Sequence, residues 1–127
     1  MDILTASAGS YPRIGSTVDQ QEHRQAYAQL EKCEITKEDF EKIQDEVTRE
    51  VIAEQTRAGL DVATDGQVRW YDPVSHLARG LEGCEINGLL RFFDTNFYFR
   101  QPVIKSRIKR KAPILKSEFE FAKSVCP

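Results

Sequence analysis

The chain has 127 residues, of which 40% are hydrophobic and 30% are charged, and its formal net charge is −2. Apolar residues recur throughout at this low net charge, which excludes an extended disordered protein and predicts one globular domain over residues 1–127. No apolar run approaches the roughly 18 residues that span a bilayer, and no signal peptide is apparent, so we expect a cytoplasmic protein without a membrane partner.

Three cysteines, Cys33, Cys84 and Cys126, are far apart and form no Cys-x-x-Cys pair. Their number and spacing favour reduced thiols over a disulfide framework or a zinc finger.

Charge is distributed unevenly along the chain. Residues 1–90 carry 17 acidic and 9 basic side chains, whereas residues 91–127 carry 3 acidic and 9 basic ones. The densest basic stretch is Lys105–Lys111, which we interpret as a solvated strand or turn. No nucleic-acid-binding module accompanies it, so no nucleic-acid partner is predicted.

The first predicted element is a short buried strand over Ile3–Ala8, which ends at a turn that begins with Gly9 and Ser10. Thr17 and Gln20 fit a capping box, and they predict a first helix over Asp19–Lys32.

The second helix has the clearest sequence signals. Thr36 is its predicted N-cap, the helix covers Lys37–Ala58, and Gly59 suits a left-handed C-terminal cap. Its predicted apolar stripe consists of Phe40, Ile43, Val47, Val51 and Ala58.

Leu60–Thr64 has strand character and ends in the polar loop Asp65–Gly66–Gln67. The order of strand, helix and strand is that of a βαβ unit, so the fold class is predicted to be α/β. In a parallel sheet the loops that follow the two strands lie on the same side, and we therefore expect Gly9 and Ser10 to lie near Asp65–Gly66–Gln67.

The pattern then changes to a predicted β-hairpin or three-stranded excursion. A short helix is predicted over Asp72–Leu81, and the Asn87-Gly88 step is a hairpin-turn signal. Pro102–Arg110 alternates as an exposed strand does, and a last helix is predicted over Ser117–Val125. No repeat or linker marks an internal domain boundary.

Several blocks of the chain, taken in order, resemble the catalytic barrel of cobalamin-independent methionine synthases, especially the short single-barrel forms. The blocks are Gly9-Ser10-Tyr11-Pro12, Gly59 to Gln67, Asp72-Pro73-Val74, Leu81-Glu82-Gly83, Asn87-Gly88, Phe92 to Asn96, and Arg100-Gln101-Pro102-Val103.

This resemblance implies a TIM (β/α)8 barrel that transfers a methyl group to the thiol of homocysteine to make methionine, with zinc activating the thiolate. The family's zinc ligands are a His-x-Cys pair, a Glu and a Cys in the second half of the barrel. The chain has no His-x-Cys pair, and its histidines, His23 and His76, fall in predicted helices. We therefore expect zinc in the parent enzyme, with its ligands outside this chain and no metal bound by these residues alone.

A complete barrel takes roughly 250 residues. The resemblance therefore implies an N-terminal portion of the barrel, about two βα units with a hairpin excursion, incomplete as a barrel and not active alone. Its exposed strand edges predict a homo-oligomer.

The resemblance also implies substrate-binding positions for homocysteine. The tripeptide that holds the amino acid falls on Ala8, Gly9 and Ser10, and the family's ammonium-binding Glu falls on Gln67. A neutral amide gives up the charge-assisted part of that bond. Either Asp65 supplies the charge or the accepted thiol is not homocysteine.

On the methyl-donor side the corresponding positions are Asn96, Tyr98 and Arg100. The longer enzymes contact a methylfolate there through an Arg-Cys step, which Asn96-Phe97-Tyr98 lacks. The resemblance to the short forms implies a corrinoid or another carrier protein as the source of the methyl group, and the missing contact is compatible with that. The expected donor is thus left open between a folate and a corrinoid carrier.

Two alternatives remain open at this point. One is a stand-alone, non-catalytic interaction module derived from the barrel. The other is a related enzyme of the same fold, either an alkyltransferase acting on another thiol or one resembling the uroporphyrinogen decarboxylase group.

Overall fold

The computed structural model describes residues 3–11 and 21–126. Six elements follow one another along the chain: α1 (Glu22–Glu31), α2 (Lys37–Arg57), α3 (Pro73–Ala78), β1 (Leu81–Arg91), β2 (Tyr98–Arg110) and α4 (Lys116–Val125). They fall into two compact units, one formed by the described residues up to Arg69 with those from Glu118 onward, the other by Trp70–Ser117. Within the described ranges, no helix is both long and apolar enough to cross a membrane.

Helix α2 confirms its sequence signals at both ends. The Thr36 hydroxyl accepts a hydrogen bond from the Asp39 amide, which satisfies one of the donors that a helix start leaves unpaired. At the other end, Gly59 has φ +78°, and its amide donates to the Thr56 carbonyl. The predicted capping box of α1 at Thr17 and Gln20 lies outside the described residues.

The predicted apolar stripe of α2 is only partly right. Phe40 and Val51 are buried, but Ile43 and Val47 are half-buried and Ala58 is exposed. The buried face includes three polar side chains instead: Gln44, Thr48 and Gln55. Thr48 and Gln55 bond to carbonyls one turn earlier in α2, as when the Thr48 hydroxyl donates to the Gln44 carbonyl over 2.7 Å, and such bonding makes burial of a polar group tolerable.

Helices α1 and α2 pack through an aromatic cluster. Tyr27 lies edge-on to Phe40 at 4.6 Å between ring centroids, and the buried His23 contacts both rings. His23 Nε2 is also 3.4 Å from Gln44 Nε2. The first histidine is thus a core residue of the helix pair.

The prediction of a buried strand over Ile3–Ala8 is wrong. Ile3 is 82% exposed and Leu4 is 71% exposed, and the segment pairs with 60–64 only through one parallel bridge between Ala6 and Val62. A parallel strand becomes buried only when other strands and helices cover its edges and faces, and the described residues do not cover this one. The predicted parallel pairing itself is confirmed.

Thr5 and Asp61 hold the two segments together around that bridge. The Thr5 amide and hydroxyl both donate to Asp61 Oδ2 over 2.8 Å, and the Val62 amide donates to the Thr5 carbonyl over 3.0 Å. The bonds from Thr5 lower the pKa of Asp61 below its ordinary value.

The second unit contains a two-stranded antiparallel hairpin, β1 and β2. The prediction that Asn87-Gly88 forms the turn is wrong, because both residues lie inside β1 and the chain reverses between Arg91 and Tyr98. Ile86 pairs with Pro102 and Leu89 with Arg100, so β1 has one extra residue there. Proline has no amide hydrogen to donate, which favours a bulge at that point over a regular ladder.

The end of the hairpin is rich in exposed aromatic side chains. Phe92 lies within 6.0 Å, between centroids, of the rings of Phe93, Phe97 and Phe99. Phe93 is 80% exposed and adopts φ +52°. The basic stretch Lys105–Lys111 is exposed throughout, which confirms its interpretation as a solvated segment.

Helix α4 confirms the last predicted helix. Within the first unit, Phe121 of α4 contacts two arginines. The guanidinium carbons of Arg49 and Arg69 lie 5.2 and 5.0 Å from its ring centroid. Arg69 also forms an ion pair with Asp45 of α2.

Candidate functional site

The two polar loops that follow the bridged segments meet, as the sequence predicts. The Ser10 hydroxyl donates to Gln67 Oε1 over 2.8 Å, and the Tyr11 amide donates to the Gly66 carbonyl over 2.9 Å. These bonds join residues 57 and 55 positions apart in the sequence. Gly9, Ser10, Asp65 and Gln67 therefore belong to one loop cluster, which we call the paired-loop site.

Left-handed backbone conformations shape this site. Gly9 and Gly66 have φ +75° and +64°, and Gln67 has φ +54°. Such values are ordinary for glycine but unfavourable for a residue with a side chain. The bonds that hold Gln67 there include one from Ser10 to its side chain and one from its own backbone amide to Asp65 Oδ1 at 3.0 Å. A strained residue fixed in this way is a common feature of binding sites.

Gly66 cannot carry a side chain without disturbing the site. A β-carbon there would lie 2.7 Å from Tyr11 Cβ and 2.8 Å from Val51 Cγ1, whereas a β-carbon at Gly9 would meet nothing within 4 Å. The glycine thus lets the two loops approach each other closely.

Two residues that sequence reasoning missed support the loops. Gln55 of α2 is 2% exposed, and its amide group donates to the Thr64 carbonyl over 2.8 Å and accepts from the Thr64 amide over 3.0 Å. The Gln55 side chain therefore pairs with both backbone groups of Thr64, as the backbone of a neighbouring β-strand would. The signal was present, because Gln55 follows Val51 by four residues and shares its helix face.

Tyr11 is the second missed residue. A hydrogen bond with the Glu54 carboxylate, and secondarily burial, raise the pKa of Tyr11 above its ordinary value. Tyr11 thereby links the first loop to α2.

The predicted substrate-binding residues differ in how exposed they are to solvent. Ala8, Gly9 and Ser10 are exposed, and Asp65 and Gln67 are half-buried. The resulting surface offers a hydroxyl, an amide and a carboxylate beside glycine backbone, which is suited to the ammonium and carboxylate groups of a small amino acid.

The predicted donor-side residues lie in the second unit. Asn96 is in the exposed turn of the hairpin, while Tyr98 and Arg100 are two residues apart on β2 and so project from the same face. The Arg100 guanidinium carbon lies 4.4 Å from the centroid of the Tyr71 ring.

A comparison with protein families identifies the chain. Residues 3–126 match the family described as "Cobalamin-independent synthase, Catalytic domain". The chain belongs to this family. The family resemblance found in the sequence is thereby confirmed over nearly the whole chain.

Several similar proteins carry the name methionine synthase. That of Sulfurisphaera tokodaii is 35% identical over 121 residues, and that of Saccharolobus solfataricus is 32% identical over the same length. The Sulfolobus acidocaldarius protein is 32% identical over 124 residues. Each match covers 95% of this chain but 34% of the relative, so the chain spans about a third of their length.

The family implies zinc, and the described residues do not fit it. Within residues 3–11 and 21–126, no three His, Cys, Asp or Glu side chains are grouped so that they could hold a metal ion. His23 packs between Tyr27 and Phe40, and the His76 ring stacks on Trp70 at 4.9 Å.

Proposed function

We propose that this chain is the N-terminal portion of a zinc-dependent TIM-barrel methyltransferase that methylates the thiol of homocysteine to make methionine. The observation that carries the proposal is the paired-loop site, in which Ser10 bonds to Gln67 in a chain of the cobalamin-independent synthase family. The zinc ligands of such an enzyme would be supplied from outside the described residues, as would the rest of the barrel.

The part assigned to these residues is to hold the amino acid. The backbone at Gly9 has no side chain to obstruct it, so a substrate carboxylate can approach the amides of Gly9 and Ser10 directly. The Ser10 hydroxyl is a further donor once it turns from Gln67 toward the substrate. Fixing the carboxylate and ammonium orients the thiol for attack on the methyl group, which is a proximity contribution.

The ammonium is assigned to Gln67 and Asp65. Gln67 Oε1 accepts from Ser10 and has a second lone pair that can accept an ammonium hydrogen. Asp65 supplies the negative charge that the amide lacks, and its Oδ1 accepts from the backbone amide of Gln67, so the Asp65 side chain is anchored to the backbone of Gln67.

The donor side is assigned to Asn96, Tyr98 and Arg100. Arg100 offers a guanidinium that is held over Tyr71, and such a group binds carboxylate or phosphate. Both a folate with its glutamate carboxylates and a corrinoid with its phosphate carry a group of this kind.

A second candidate follows from one observation, the amide at position 67. If the natural acceptor is a thiol acid without an ammonium group, a neutral side chain there suits it better than a carboxylate would. The chain would then belong to a related thiol alkyltransferase of the same fold.

The deciding experiment uses the natural gene product purified from cells. Its intact mass and zinc content are measured, and methionine formation is assayed with homocysteine and with methylfolate or methylcobalamin as donor. We expect a protein of full barrel mass with about one zinc per chain and methyl transfer to homocysteine. Equal or faster methylation of 4-mercaptobutyrate, which is homocysteine without its amino group, would favour the second candidate. A zinc-free protein that methylates neither thiol would refute both.

A further inference from the structure

Asp72 connects α3 to strand β2 of the hairpin. The sequence predicts no role in the site for this residue. It is 4% exposed, and its carboxylate accepts four hydrogen bonds from Val74, Ser75 and Arg100. A buried carboxylate with this many donors is fully satisfied and rigidly placed.

The two carboxylate oxygens have different partners. Oδ1 accepts from the amides of Val74 at 3.0 Å and Ser75 at 2.6 Å, which is ordinary N-terminal capping of α3. Oδ2 accepts from the Ser75 hydroxyl at 2.5 Å and from the Arg100 amide at 3.1 Å. Capping of α3 requires only the bonds to Oδ1, so the bond from the Arg100 amide of β2 gives the same side chain an additional function.

The bond from Asp72 to β2 is made at Arg100, whose guanidinium is assigned to the methyl-donor side. Arg100 pairs with Leu89 directly beside the bulge at Asn87-Gly88, where the ladder between the strands is interrupted. Asp72 supplies an acceptor for β2 at this irregular point. One residue before Asp72, the ring of Tyr71 lies under the Arg100 guanidinium. The short segment 71–72 therefore contacts both the backbone and the side chain of Arg100.

We infer that Asp72 is a positioning residue for Arg100: its carboxylate fixes β2 against the start of α3 so that the guanidinium is held over the Tyr71 ring. The inference rests on the proposed function in one respect, namely that the positioned guanidinium binds an anionic group of the methyl donor.

Asp72→Ser separates the two roles of the residue. Serine is as good an N-cap as aspartate, but its hydroxyl is too short and has too few lone pairs to reach the Arg100 amide as well. Ser75→Ala is the matched control, since it removes one donor to Oδ2 and leaves the Arg100 bond in place.

The first readout is NMR of the labelled chain and does not depend on activity. In Asp72→Ser we expect the Arg100 amide to exchange about tenfold faster and the upfield ring shift of its side-chain protons by Tyr71 to be lost. Ser75→Ala should retain that shift. Unchanged exchange and an unchanged ring shift in Asp72→Ser would overturn the inference.

The second readout is the kinetics of the enzyme that contains this chain. Asp72→Ser should raise KM for the methyl donor about tenfold and leave KM for homocysteine within about twofold, and it should have no further effect when Arg100 is already alanine. Losses that simply add in the double variant would overturn the positioning role. A wild-type enzyme without methyl transfer would refute the proposed function instead, and the NMR result would still decide whether Asp72 holds Arg100.

Discussion

The hydroxyl of Ser10 donates to the amide oxygen of Gln67 across 2.8 Å, although 56 residues separate the two in the sequence. This bond joins two loops that each follow a bridged segment, and it places a neutral amide where the family resemblance implies a carboxylate.

Restoring that carboxylate should strengthen substrate binding. In the full enzyme, Gln67→Glu is expected to tighten homocysteine binding about tenfold, because an ammonium bonded to a carboxylate gains a charge-assisted contribution. Isothermal titration calorimetry measures the effect, with Gln29→Glu on the exposed face of α1 as the control for added charge. Unchanged or weaker binding would show that Gln67 does not contact the ammonium.

Removing the Ser10 hydroxyl should weaken binding without unfolding the protein. We expect Ser10→Ala to lose about five- to tenfold in homocysteine affinity, since a donor to the substrate and the anchor of Gln67 disappear together. Stability should stay within about 0.5 kcal/mol, because Ser10 is exposed. Ser106→Ala on β2 is the control. An unaffected KM for homocysteine would return Ser10 to the role of a turn cap.

The two positive-φ glycines of the paired-loop site should respond differently to alanine. Gly9→Ala meets open space and should cost only backbone strain, about 1 kcal/mol. Gly66→Ala adds a clash with Tyr11 and Val51 and should cost about 2 to 5 kcal/mol. Urea unfolding followed by circular dichroism compares them, and equal losses would contradict the close approach at Gly66.

Gln55 should prove important for the second loop although it lies on a helix. Gln55→Leu keeps the volume but leaves both polar backbone groups of Thr64 without their partner, so we expect a loss of about 2 to 4 kcal/mol. Gln29→Leu on the exposed surface of α1 is the matched control. A loss below about 1 kcal/mol in urea unfolding would mean that solvent replaces the Gln55 bonds.

Asp72 should make stability depend on pH in the acid range. Burial raises its pKa, but the hydrogen bonds from Ser75, Arg100 and Val74 outweigh burial and leave the pKa below its ordinary value of 3.8. A carboxylate with a lowered pKa contributes stability that is present above the ordinary value and is lost as the pH falls through the folded one. Asp72→Asn should therefore be less stable than wild type at pH 7, and the difference should shrink as the pH falls below 3.8. A difference in urea midpoint that does not depend on pH would contradict this assignment.

Local signals predicted the helices well. The Thr36 cap and the Gly59 terminator of α2 act within one helical turn, so their effect is visible in a few adjacent residues. The helices predicted over Asp72–Leu81 and Ser117–Val125 correspond to α3 and α4, although α3 ends at Ala78. The Asn87-Gly88 signal failed because a two-residue turn motif competes with strand register, and register depends on the facing strand, here on Pro102.

By itself, the sequence determined the family of this protein, the order of its helices and the meeting of its two polar loops. The order of the family motifs can be read directly along the chain, and two parallel strands joined by a helix place the loops that follow them on the same side. Only the tertiary structure decided that Gln55 supports Thr64, that Asp72 reaches Arg100, and that Ile3 and Leu4 lie exposed. Burial and hydrogen bonds between distant residues depend on which surfaces meet in space, and the sequence pattern of one segment does not contain the position of its partner.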